Sequence, residues 1–170
     1  YLVTSNNRKN VAIAAKKHAE ANGVKTAISL SDPAMVQFFG DQMREIVGSG
    51  VDILFCNEDE ALSYTQTDSL DAATDALKAV AKLSVITCGA KGARVINGDQ
   101  VFDSEGIAVT AVDTNGAGDM FAGAFLYATG AGHSLEAAAV FANKAAAVVV
   151  QQYGPRLDEA AHKALLAELA

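Results

Sequence analysis

Val51-Asp52-Ile53-Leu54-Phe55-Cys56-Asn57-Glu58-Asp59-Glu60 decides how this chain is read. Val51 to Cys56 is a short, nearly continuous apolar run of the kind that a parallel sheet buries on both faces. Glu58 to Thr65 continues as a helical pattern, so the stretch predicts a strand feeding directly into a helix. The same alternation extends in both directions. Upstream, Asn7 is placed to cap a helix over 8–22 with Val11, Ala14, Ala15 and His18 on one face. Gly23 ends that helix, and Val24 to Leu30 reads as a strand. Ser31-Asp32-Pro33 is a helix start, and the helix runs to Val47 before Gly48-Ser49-Gly50 breaks it. Downstream, Ser69 to Ala81 reads as helix and Leu83 to Thr87 as strand. Ala93 to Phe102 forms two β-type runs around Asn97-Gly98, a hairpin signal. Ile107 to Val112 is predicted as a strand, followed by helices over 117–129, 134–151 and 158–169. No linker, charge block or internal repeat divides the chain. The expectation is one α/β domain with a three-layer αβα, mostly parallel, Rossmann-like sheet, whose ligands collect at the carboxyl ends of the strands.

Composition narrows the classes of function. A chain of 170 residues with 51% hydrophobic content can build a sizeable core, since chains of about 150 residues bury roughly 70% of their unfolded surface. A formal net charge of −7 argues against a sequence-independent nucleic-acid binder, which needs a basic face. No apolar run is long enough for a membrane span, and the first residues do not resemble a signal peptide. A cytoplasmic protein with no membrane partner is expected. Cys56 and Cys88 lack metal-ligand or C-x-x-C spacing and read as reduced core thiols. His18, His133 and His162 are scattered and read as surface residues.

Three clusters follow predicted strands. The first is Val112-Asp113-Thr114-Asn115-Gly116-Ala117-Gly118-Asp119, a glycine-containing turn that opens a helix. Its amides can converge on an anion, with the helix dipole adding positive potential. Asp119 is then either a first-turn acid stabilised by that dipole or a general base beside a phosphate. The glycines do not give G-x-G-x-x-G, and no Walker A sequence is present. The second cluster, Asn57-x-x-Glu60, suits magnesium held through water, and equally reads as a capping box. The third, Thr87-x-Gly89-x-x-Gly92, could wrap phosphates with its amides or be an ordinary turn. Asn143, in a helix that is apolar nearly all round, reads as an exposed polar residue or one facing a nucleobase.

Together these residues resemble the ribokinase-like family of carbohydrate and nucleoside kinases, also called the PfkB family. Asp113 to Asp119 with Phe121, Ala122, Gly123 and Ala124 is similar to that family's second signature. Asn57-Glu58-Asp59-Glu60 resembles its N-x-x-E motif, and Thr87 to Gly92 its T-x-G-x-x-G segment. The order and spacing agree from about residue 1 to 157. The resemblance implies a ribokinase-like fold, ATP and Mg2+ as cofactors, and phosphoryl transfer to a hydroxyl of a small sugar or nucleoside. It implies Asp119 as general base, with the amides of Asn115, Gly116, Ala117 and Gly118 as the anion hole. Asn57 and Glu60 would organise magnesium and its waters. Thr87, Gly89 and Gly92 would line the phosphate path, and Asn143 would lie near the adenine. Some members bind a monovalent cation, to which Asp113 and the backbone near Gly154 would contribute. Family members are roughly twice as long, so the resemblance covers their carboxyl-terminal half. The amino-terminal strands, the β lid and most of the acceptor side lie outside it. The expected parent is a homodimer. The alternative is a nucleotide-binding or regulatory module without catalysis. Tyr153-Gly154-Pro155-Arg156 resembles adenosine-kinase-like bacterial members.

Overall fold

A computed structural model describes residues 2–169, and the chain divides into two compact units. The first runs up to Thr87 and includes Ile96–Phe102. Its elements are α1 (Asn6–Ala21), β1 (Ala27–Ser29), α2 (Pro33–Val47), β2 (Val51–Asn57), α3 (Glu58–Thr65), α4 (Leu70–Leu77) and β3 (Ala81–Thr87). The three strands are parallel, with Ser29 opposite Phe55 and Phe55 opposite Val85. Leu30, Leu54, Leu77, Val85 and Ile86 are fully buried and form the core. The apolar run at Val51–Cys56 thus does what its composition dictates, and β2 hands the chain straight to α3. Helix α2 starts where Asp32 accepts the amides of Ala34 and Met35 and Pro33 supplies a preset φ.

The second unit comprises Cys88–Val95 and the residues from Asp103 onward. It holds α5 (Ala117–Gly130), α6 (Leu135–Val149) and α7 (Glu159–Ala167). Phe125, Ala128, Ala138, Ala142 and Val149 are buried in it. Small residues on facing helices let α5 and α6 approach closely, and Phe121 and Phe125 stack with ring centroids 6.2 Å apart. Strands β4 (Gly92–Asn97) and β5 (Gln100–Glu105) contribute to both units and complete a sheet of order β1-β2-β3-β4-β5. Arg94 grips Asp103 with two bonds, Nε to Oδ1 at 2.7 Å and a terminal nitrogen to Oδ2 at 2.9 Å. That pair fixes the hairpin's register.

Several expectations need correction. Ile107–Val112 forms no strand, and Ile107 and Val112 stand 43% and 49% exposed. Its β-branched composition is suited to a sheet, but a strand exists only when a neighbour pairs with it. β1 is three residues long rather than the seven of Val24–Leu30. The predicted core face of α1 is also turned outward: Val11 is 68% exposed, and no residue of that helix is buried. Ser5, not Asn7, caps it. The hairpin turn falls on Gly98-Asp99, one residue later than Asn97-Gly98. Cys56 is buried as expected, whereas Cys88 is half-buried, and neither is in a disulfide. All three histidines are exposed. Among the described residues no helix is long and apolar enough to cross a membrane.

Candidate active site

Two of the predicted clusters end adjacent strands of the first unit. Asn57 closes β2 and Thr87 closes β3, and the two residues are direct register partners. Asn57 is the N-cap of α3. Its Oδ1 accepts the Glu60 amide at 2.8 Å, while Glu60 Oε2 accepts the Asn57 amide at 3.0 Å. A third bond runs from Asn57 Nδ2 to Glu60 Oε1 at 2.9 Å. The capping box is therefore real and fully closed. Glu60 is 4% exposed, and burial pushes its carboxyl up from the ordinary value, against the pull of the Asn57 amide. The donors here are all hard oxygens of the type magnesium takes, and a carboxylate with two hydrogen bonds keeps further lone pairs for metal-bound water. Among the described residues no group of three or more His, Cys, Asp or Glu is arranged to hold a metal ion. The pair therefore fits a magnesium held largely by water and phosphate. Among the described residues Thr87 Oγ1 reaches only the Cys56 carbonyl, at 3.5 Å, and this weak contact leaves the hydroxyl able to turn toward a ligand.

The remaining predicted residues lie in the second unit. Gly89 opens a single 3₁₀ turn, Gly89–Lys91, and Gly92 ends it with φ 104°. A β-carbon on Gly92 would collide with the Ser104 carbonyl. That same carbonyl accepts Asn143 Nδ2 at 3.2 Å, and the amide also reaches Ser104 Oγ at 3.0 Å and the Glu105 carbonyl at 3.1 Å. Ser104 thus brings Gly92 and Asn143 together. Asn143 is 7% exposed, not the exposed polar residue that one reading of α6 predicted. Its amide clamps the end of β5 to the middle of α6. A partner on a strand 39 residues away could not be found from helical periodicity.

Asp113 to Asp119 form the start of α5 and the turn before it. Gly116 is the N-cap at φ 78°, in the left-handed region, and it offers no side-chain acceptor. A β-carbon there would stand 2.5 Å from Pro155 Cβ, so the position excludes any larger residue on steric grounds as well. Among the described residues α5 is the one α-helix whose cap gives no side-chain bond; Ser5, Asp32, Asn57, Ser69, Ser134 and Asp158 serve the other six. The Ala117 amide reaches the Thr114 carbonyl at 3.3 Å, whereas those of Gly116, Gly118 and Asp119 have no hydrogen-bond partner among the described residues, at the positive end of the helix dipole. Asp119, in the third helical position, is exposed and has no hydrogen-bond or ion-pair partner among the described residues. It borders a cavity of about 580 Å3 lined also by Met120, Gly123, Tyr127, Phe141 and Leu165. The Asp113 carboxylate accepts the amides of Asn115 and Gly154, and those two bonds, Asn115 first, hold it below its ordinary value. Pro155 and Ser104 are contributors that the sequence did not reveal.

Comparison with known proteins gives this arrangement a family. The profile of the pfkB family carbohydrate kinases matches residues 2–161. An adenosine kinase of Schizophyllum commune is 32% identical over 176 residues, covering 92% of this chain and 50% of that protein. A ribokinase of Haemophilus influenzae is 33% identical, covering 80% of this chain and 44% of its own length. The crystal structure of adenosine kinase from Sinorhizobium meliloti superposes with a TM-score of 0.86 at 36% identity, covering 94% of this chain and 50% of that one. The chain spans about half the length of the relatives it matches. The match extends across both units and takes in all three motifs, and on that ground the chain belongs to the pfkB family of carbohydrate kinases.

Proposed function

We propose that this chain is the carboxyl-terminal, nucleotide-binding part of a single kinase domain that moves the γ-phosphate of ATP to a hydroxyl of a small sugar or nucleoside. The observation that carries the proposal is the open start of α5, where uncapped amides stand beside a partnerless carboxylate. Phosphoryl transfer needs both parts, because the reaction consists largely of positioning an acceptor and stabilising charge on the transferred group. Asp119 takes the proton of the acceptor hydroxyl as its oxygen bonds to the γ-phosphorus. The bond from that phosphorus to the β,γ-bridging oxygen breaks, and ADP leaves with the electron pair. The amides of Gly116 and Gly118, which have no partner among the described residues, hold the equatorial oxygens. Thr87, Gly89 and Gly92 line the nucleotide's phosphates, and Asn143 fixes the wall near the base. Asn57 and Glu60 would hold magnesium through its waters, and the metal when bound supplies charge neutralisation at the β- and γ-phosphates. The relatives include nucleoside and sugar kinases, so the acceptor belongs to one of these two classes. The family's longer members favour a second reading for the chain by itself, nucleotide binding without transfer.

The test is ATP-dependent phosphorylation of adenosine, ribose and fructose by the intact protein and its Asp119→Asn variant. Loss of turnover by about 10²–10⁴-fold with ATP affinity retained is the expected result. A variant with near wild-type kcat would overturn the assignment of the base. Transfer by the 170-residue chain on its own would dispose of the second reading.

A further inference from the structure

The Asp113 side chain joins two irregular segments of the second unit. Its Oδ1 accepts the Asn115 amide at 3.0 Å and its Oδ2 accepts the Gly154 amide at 2.9 Å. The neighbouring backbone is tied along the same seam, since the amides of Val112 and Asp113 both donate to the Val150 carbonyl, at 2.7 and 3.2 Å. Just beyond, Gly116 is pressed against Pro155. Segments 112–116 and 150–155 therefore form one block, in which a carboxylate occupies the centre and a glycine–proline contact the far end. The turn that precedes α5 has no strand before it to steady it, so this block supplies what secondary structure does not. Amides that are to stabilise charge in a transition state must already point correctly, because ordering them during the reaction removes part of their effect.

We propose that Asp113 is a positioning residue: by locking Gly154-Pro155 onto Asn115-Gly116, its carboxylate sets the direction of the amides that follow, from Gly116 to Gly118. The catalytic consequence rests on the phosphoryl-transfer reading above, whereas the lock itself stands on the geometry. Amide hydrogen exchange and kinetics on the intact protein test the two parts separately, using Asp113→Ala, which loses both bonds, and Asp113→Asn, which keeps one acceptor oxygen. Exchange at Asn115 and Gly154 should quicken at least about tenfold in the alanine variant and less in the asparagine variant, with Ala142 and Ala145 in α6 unchanged. Turnover should fall about 10²-fold in Asp113→Ala, with KM for ATP and acceptor changed little and kcat partly recovered in Asp113→Asn. Undisturbed exchange at Asn115 and Gly154 in either folded variant would overturn the lock. Quickened exchange with wild-type kcat would overturn the positioning role. If the wild type transfers phosphate to no acceptor, the kinase reading falls and the exchange arm alone decides on the lock. Should the alanine variant not fold, the asparagine variant carries both measurements.

Discussion

Helix α3 begins at Asn57 and carries Glu60 in its third position; helix α5 begins at Gly116 and carries Asp119 in its third position. The first follows strand β2 directly and the second follows a turn, and both place an acid in the first turn. In α3 the cap and the acid satisfy each other through three hydrogen bonds. In α5 the cap has no side chain, the acid has no partner among the described residues, and the amides of Gly116, Gly118 and Asp119 are left for something else. The difference separates holding from reacting. A self-satisfied pair is rigid, and it can orient water around a cation without surrendering its own bonds. An unsatisfied pair retains donors for an anion and a carboxylate for a proton, at a cost in helix stability that a side-chain cap would have spared.

The largest effect is expected where the open terminus is closed by force. Gly116→Val combines a β-branched residue at φ 78° with a collision against Pro155. It should lower phosphoryl transfer by at least about 10²-fold, read in the same coupled assay as the wild type. Normal turnover would mean that the shape of this turn is unimportant. Next comes the closed terminus. Asn57→Ala removes the cap and strands the buried Glu60, so urea unfolding should show a loss of about 1–2 kcal/mol, together with a raised magnesium requirement. A change in stability without a change in magnesium dependence would make α3 a structural helix start only. The smallest effect serves as a control on the other end of β2. Lys82 and then the Thr26 amide lower the Asp52 carboxyl to about 2 from 3.8. A depressed carboxylate contributes stability above its unfolded value, and that contribution disappears as pH falls through about 2. Thermal melts of wild type and Asp52→Asn should therefore differ by a constant amount above about pH 5 and converge toward pH 2. A gap that persists at the acid end would assign the effect to packing.

What the sequence made legible follows from the range of each interaction. The β2–α3 passage was readable because its strand is a continuous apolar run and its cap lies three residues from its partner. The α2 start at Asp32-Pro33 was readable for the same reason. Ile107–Val112 was misread because composition reports fitness for a sheet, whereas pairing depends on residues far along the chain. The face of α1 was misread because periodicity marks a stripe without saying that anything covers it. In the site, each motif was visible as a local string. The contacts that shape it were not, since Pro155 meets Gly116 and Ser104 meets Asn143 across 39 residues each. Asn143 shows the consequence: helical context suggested an exposed amide or a base contact, and the fold gives that amide three backbone and hydroxyl acceptors on β5.

The central claim is that α5 begins as an anion-binding terminus. Titrating the ¹⁵N-labelled protein with ATP and magnesium, and following amide resonances, tests it directly. The amides of Gly118 and Asp119 should shift and saturate with ATP, while Ala72, whose amide Ser69 already holds at the start of α4, should stay fixed. Saturable binding that leaves Asn115 to Asp119 unmoved would contradict the account.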